Sequence, residues 1–123
     1  MKYFVGDIEK MTEANENFRE VLFTGKNEQL VVMRLKGGEE IGREMHENVD
    51  QFFRVEEGEA EFVFNNLERH QVKPGGAVLV PAGTYHNVIN LSDSKDLKLY
   101  TIYSPPNHPE GTIHKTKAEA EEH

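Results

Sequence analysis

The apolar residues of this chain fall in short blocks, at positions 29–36, 41–46, 51–56, 60–65, 77–80, 86–91 and 97–103, with turn-forming residues between them. Most blocks are rich in β-branched or aromatic side chains, which suit the pleated, half-buried surface of a strand. The breaks lie at Gly37-Gly38, Glu57-Gly58, Asn65-Asn66, Pro74-Gly75-Gly76, Pro81-Ala82-Gly83 and Ser92-Asp93-Ser94. They recur roughly every ten residues, the rhythm of an antiparallel β fold. The pattern predicts an all-β chain with little helix.

Two polar segments are expected to be short helices. Residues 8–15 have the content of a surface turn or helix, and Thr116 with Glu119 forms a capping box leading into 117–122. Both are too short to persist without packing. The stretch Ser104-Pro105-Pro106-Asn107-His108-Pro109 cannot continue a central strand, because proline has no ladder donor, so the chain must leave the sheet there.

A hydrophobic fraction of 37% is low, but its concentration in blocks argues for a packed core rather than disorder. Fourteen basic against 22 acidic residues give a net charge of −8, which repels phosphate backbones and anionic headgroups and makes nucleic acid and membrane poor partners. Cysteine is absent, so thiolate chemistry is excluded and any metal must sit on nitrogen and oxygen. Acidic residues from Asp7 onward interrupt any signal core, and no apolar run approaches membrane-spanning length, which makes the cytoplasm the expected address.

Two clusters carry candidate chemistry. In a strand over 41–46, Glu44 and His46 share one face, because side chains alternate with period two. Gln51 opens the next strand after a short turn and brings an amide oxygen within reach of the same place. In the second cluster the turn Pro81-Ala82-Gly83 delivers His86 to the start of a strand, where it supplies a fourth donor. A lone strand histidine is more often a surface or hydrogen-bonded core residue; it is the pairing of the clusters that favours a site.

The two clusters also resemble the paired motifs of the cupins. The first reads Gly38, five residues, Glu44-Met45-His46, four residues, Gln51, six residues, Gly58; the second reads Gly75, Pro81-Ala82-Gly83, His86, Asn90. The second motif is complete. In the first, Glu44 stands where the family usually has a histidine and Gln51 where it usually has a glutamate, so the carboxylate has moved and the ligand set still holds one. The resemblance implies a double-stranded β-helix, or jelly-roll barrel, in one cupin domain spanning 1–123, with the barrel core at about 28–104 and a tail at 105–123. It also implies one divalent ion, Zn, Mn, Fe, Ni or Co, on Glu44, His46, Gln51 and His86. Phosphomannose isomerases of the superfamily bind zinc with the same residue types in another distribution. Asp50-Gln51-Phe52-Phe53-Arg54-Val55 and the segment 98–106 are similar to small bacterial cupins labelled mannose-6-phosphate-isomerase-like. The competing reading is a barrel that has lost its metal, against which stands the cost of a buried glutamate without counter-charge.

Around that site, Phe53 and Val55 share the inward face with Gln51 and are expected to pack the core. Thr101 and Tyr103 share one face of the last strand, and Tyr103, whose hydroxyl needs a partner if buried, is the candidate catalytic residue. His108 and His114 lie in the tail, either in a solvated loop or folded over the mouth; His70 and the acidic run 119–122 are expected to face solvent. The cavity is expected to open between the turns after Gly38 and Gly83. Three functions follow: Lewis-acid isomerase or lyase chemistry on a small sugar-like or keto-acid-like substrate, a metal-dependent dioxygenase, and a non-catalytic ligand-binding module. A homodimer is also expected, because residues 29–33 carry apolar side chains on both faces.

Overall fold

The computed structural model describes residues 3–121. A short helix, α1 (Ile8–Ala14), is followed by β1 (Arg19–Thr24), β2 (Gln29–Leu35), β3 (Asp50–Glu57), β4 (Ala60–Phe64), β5 (Glu68–Val72), β6 (Ala77–Val80), β7 (His86–Asn90), β8 (Leu97–Ser104), β9 (Ile113–His114) and a last helix, α2 (Lys117–Glu121). The strands form two antiparallel sheets, one of six in the order β6-β3-β8-β2-β1-β9 and one of three in the order β5-β4-β7. The expected jelly roll, poor in helix, is thus observed.

The core lies between the sheets. Strand periodicity turns Val31, Met33 and Leu35 of β2, Phe53 and Val55 of β3, and Leu97 and Leu99 of β8 inward, where each is at most 1% exposed. Phe62 of the small sheet meets Phe53 edge to face, with ring centroids 5.1 Å apart. Phe53 and Val55 are therefore core residues, as expected. Gly58 sits at the β3–β4 turn with φ of +84°, and a Cβ there would come within 2.6 Å of the Asp96 carbonyl oxygen, so only glycine closes this corner.

Several expectations need correction. Residues 41–46 do not form a continuous strand. Gly42 adopts φ of +107°, and the segment meets β7 only through isolated bridges, Glu40 to Ile89 and Glu44 to His86. Strands β1, β5 and β9 had no counterpart in the apolar blocks: β5 is exposed over residues 68–71, and β9 has two residues. The cavity does not open between the Gly38 and Gly83 turns. Gly38 bonds Ser92, beyond the end of β7, whereas Gly83 precedes its start, so the two turns lie at opposite ends of that strand.

The premise of the dimer expectation also changes. On the outer face of the large sheet, Lys98 reaches the Glu13 carbonyl and the Glu16 carboxylate, which pins α1 and its exit loop over the sheet. Val32 on that face is only 1% exposed, so this part of β2 is covered within the chain. In the tail, Thr116 Oγ1 accepts from the Glu119 backbone as expected, but the Glu119 carboxylate accepts from Lys115 rather than Thr116, a capping box shifted by one residue. Residue 122, expected to end this helix and the acidic run, lies outside the described residues. Among the described residues no helix is long and apolar enough to cross a membrane.

Candidate metal centre

Backbone pairing assembles the centre. Glu44 and His86 exchange two backbone hydrogen bonds of 2.8 Å, which sets their side chains next to each other at the start of β7. The Gly83 backbone N–H donates to the His46 carbonyl at 2.8 Å, so the turn that delivers His86 also holds His46. One ligand atom from each of Glu44, His46 and His86 lies within 4.8 Å of the others. Glu44 Oε1 and His46 Nε2 are 3.8 Å apart, too far for a hydrogen bond but close enough to share an ion.

The protonation of His86 follows from its partner. Its Nδ1 lies 3.0 Å from the Thr84 carbonyl oxygen, which can only accept, so Nδ1 carries the proton and Nε2 keeps a lone pair. That Nε2 is buried without a hydrogen-bond partner, as are His46 Nε2 and Gln51 Oε1. Gln51 is 1% exposed, and its amide nitrogen donates to Thr101 Oγ1 at 3.0 Å. A buried polar atom left unpaired costs about 1–3 kcal/mol, so the orphaned Nε2 atoms of His46 and His86, gathered with Glu44 within 4.8 Å, argue for a species that accepts lone pairs. Two imidazoles, a carboxylate and an amide oxygen are hard-to-borderline donors that fit a divalent cation.

Charge around the centre is consistent with this. Burial is the largest influence on Glu44 and favours its neutral acid, yet His46, Arg19 and His86 together outweigh it and hold the carboxyl below its ordinary value. Burial lowers His86 below the usual imidazole value, opposed incompletely by the Thr84 carbonyl and the Glu44 charge. Tyr103 is 1% exposed, and burial, then the charge of Glu44, hold its phenol protonated well above the ordinary value.

The tail folds over the barrel. Buried Gln29 donates to the His108 carbonyl at 2.7 Å and accepts from the Asn107 and His108 backbone, which brings His108 Nε2 to 3.2 Å from the Tyr103 hydroxyl. Burial, with Arg19 adding to it, pushes His108 down to about 4. His114, in β9, meets Arg19, while His70 is exposed and pairs with Glu68 at 2.8 Å. Beside the centre is a cavity of about 650 Å³, lined by Arg19, Ile41, Glu44, His108 and the 112–114 segment among others. Arg19 went unnoticed in the sequence because β1 did. The hairpin signal Gly25-Lys26-Asn27 before β2, preceded by the apolar run 21–23, marks that strand.

Residues 31–103 match the Cupin domain family. The chain belongs to the cupin family. Among its relatives, this cupin is 48% identical to the uncharacterized protein YrkC of Bacillus subtilis (strain 168) over 97% of its own length and 66% of that protein's. It therefore spans just under two thirds of YrkC. The crystal structure of BH2720 from Bacillus halodurans superposes with a TM-score of 0.94 at 45% identity, covering 98% of this cupin and 94% of that chain. KdgF from Halomonas sp. shares the fold, with a TM-score of 0.67 at 24% identity over 72% of this chain and 80% of that one.

Not every motif residue of the cupin faces the metal centre. The Asn90 amide nitrogen donates to the carbonyls of Leu35, Lys36 and Lys95, and its oxygen accepts from Ser92, so it ties β7 to two loops at the other end of the barrel.

Proposed function

We propose that this cupin binds one divalent metal ion through Glu44, His46, Gln51 and His86 and uses it as a Lewis acid on a small oxygenated substrate held in the adjoining cavity. The observation that carries the reading is the pair of buried, unpartnered atoms His46 Nε2 and His86 Nε2 within 4.8 Å of the Glu44 carboxylate; Gln51 Oε1, also buried and unpartnered, is assigned as the fourth ligand. When bound, the metal supplies polarisation of a carbonyl or hydroxyl oxygen. Glu44, held ionised, brings the one negative charge to the ligand set.

The chain's own residues fix what else happens there. Tyr103 stays protonated and is able to donate a hydrogen bond; it is not a base at neutral pH. His108, neutral down to about pH 4, lines the cavity and is a weak proton acceptor next to the Tyr103 hydroxyl. Tail residues from His108 to Glu121 line the cavity. These features favour stabilisation of an enediolate-like oxyanion, the demand common to isomerases and lyases of hydroxy-carbonyl compounds.

The test is deuterium exchange. Metal-loaded protein is incubated in deuterated water with small hydroxy ketones and keto acids and followed by proton NMR. The proposal expects exchange at the carbon next to the carbonyl that depends on metal and is lost in His86→Ala. Oxygen consumption with the same compounds, without exchange, would instead select dioxygenase chemistry. Metal binding without exchange or oxygen uptake would favour a non-catalytic binding module.

A further inference from the structure

Arg19 points inward from β1, since it pairs with inward-facing Met33 across the ladder, and it is only 7% exposed. A buried guanidinium normally faces a carboxylate, because taking an unpaired charge out of water costs several kcal/mol. Among the described residues, no carboxylate oxygen lies within the 4.0 Å of an ion pair with it, although other basic side chains of the chain have such partners. Its Nη1 donates to His114 Nδ1 at 3.3 Å, and the Phe18 ring lies 5.3 Å from its Cζ. Its Nε is buried without a hydrogen-bond partner, although the Tyr103 hydroxyl is close enough to feel the guanidinium.

This cation, which makes no ion pair but is near enough to help hold the Glu44 carboxyl ionised, lines the cavity that Glu44 also lines, so the cavity runs from Arg19 to Glu44 of the metal centre. Lys117 and Glu121, of opposite charge, also line this space. With Nη1 engaged, Nε–H is a buried donor left without a partner, and a guanidinium edge that includes it matches the oxygens of a carboxylate. A volume of about 650 Å³ is within the range of small-molecule sites.

We propose that the cavity is a carboxylate-binding subsite, in which Arg19 takes the carboxylate of a small organic acid whose remaining oxygens reach toward Glu44, His46 and His86. The second half rests on the metal reading above; the first half does not. A carboxylate is favoured over phosphate because a single buried guanidinium offers one planar fork and one charge, whereas a phosphate dianion needs more donors around it.

Lactate and its uncharged analogue lactamide are the matched probes, titrated into zinc-loaded and zinc-free full-length protein with the Arg19 Nε–H resonance as readout. The expected result is saturable binding of lactate that shifts this resonance, with lactamide at least tenfold weaker. Arg19→Gln should weaken lactate at least tenfold, and Arg19→Lys less. Zinc affinity should stay equal or rise in Arg19→Gln, since a cation near the ion is removed. The wild-type Nε–H signal keeps the test decisive if Arg19→Gln does not fold. Equal binding of lactate and lactamide, no binding of either, or an unmoved Nε–H signal would overturn the subsite and leave the metal reading standing. Lactate binding through Arg19 in protein that takes up no zinc would retain the subsite and overturn the metal reading. Inorganic phosphate binding more tightly than lactate would overturn the carboxylate assignment.

Discussion

His86 Nδ1 lies 3.0 Å from the carbonyl oxygen of Thr84, two residues earlier, and this contact decides which nitrogen of the ring faces the centre. A carbonyl has no proton to give, so the proton sits on Nδ1 and the lone pair on Nε2, the arrangement a metal ligand needs. In metal-free protein at pH 7.5, nitrogen-15 shifts should show His86 neutral and protonated on Nδ1, with Nε2 moving on addition of zinc. An Nε2–H tautomer, or a charged ring at that pH, would contradict the assignment.

His108 makes the fold sensitive to acid. Its value in the folded chain is about 4, below the ordinary histidine value of about 6.5 expected when unfolded. Unfolding therefore takes up a proton between those two values, so His108's contribution to stability is full above about pH 6.5 and falls as pH drops toward 4. The groups facing it are Tyr103, Arg19, Glu44, His46 and His114, and Arg19 reinforces the effect while Glu44 opposes it. Melting temperatures of metal-free protein should drop on acidification from pH 7 to 4.5, and by less in His108→Gln. An identical pH profile in the variant would show that His108 is not the sensor.

Asn90 belongs to the second motif, yet its work is mechanical. Three carbonyls, of Leu35, Lys36 and Lys95, lose their shared donor in Asn90→Ala. At about 1 kcal/mol per bond, with some relief from water, the expected loss is roughly 2–4 kcal/mol. Chemical denaturation measures it. Metal affinity of the folded fraction should be unchanged, and a large loss of affinity at unchanged stability would show that Asn90 serves the centre.

The barrel was legible because its central strands are apolar and its corners are glycines and prolines. Strands β2, β3, β4, β6, β7 and β8 announce themselves in this way. Exposed β5, with four polar residues in Glu68-Arg69-His70-Gln71, carries no apolar signal and exists because Asn65 and Asn66 adopt positive φ and turn the chain back on β4. Glu44, His46 and His86 were read as neighbours from strand alternation and motif spacing. They do meet, but through two bridges and a carbonyl contact around Gly42 rather than through a regular strand. The placement of Arg19 and His108 depends on partners some 80 to 95 residues distant in sequence, such as His114 for Arg19 and Gln29 for the His108 segment, and local pattern carries no trace of such pairing.

The central claim is that one metal ion sits on Glu44, His46, Gln51 and His86. Titration of metal-free wild type and the four single alanine variants with zinc, in competition with a chromophoric chelator, tests it most directly. The account predicts one ion per chain in the wild type. His46→Ala and His86→Ala should lose about a hundredfold or more in affinity, roughly 3 kcal/mol. Glu44→Ala, which removes the only ligand charge, should lose a similar amount. Gln51→Ala, which removes a neutral oxygen, should lose about tenfold, close to 1.4 kcal/mol. Unchanged zinc affinity in both His46→Ala and His86→Ala would contradict the account.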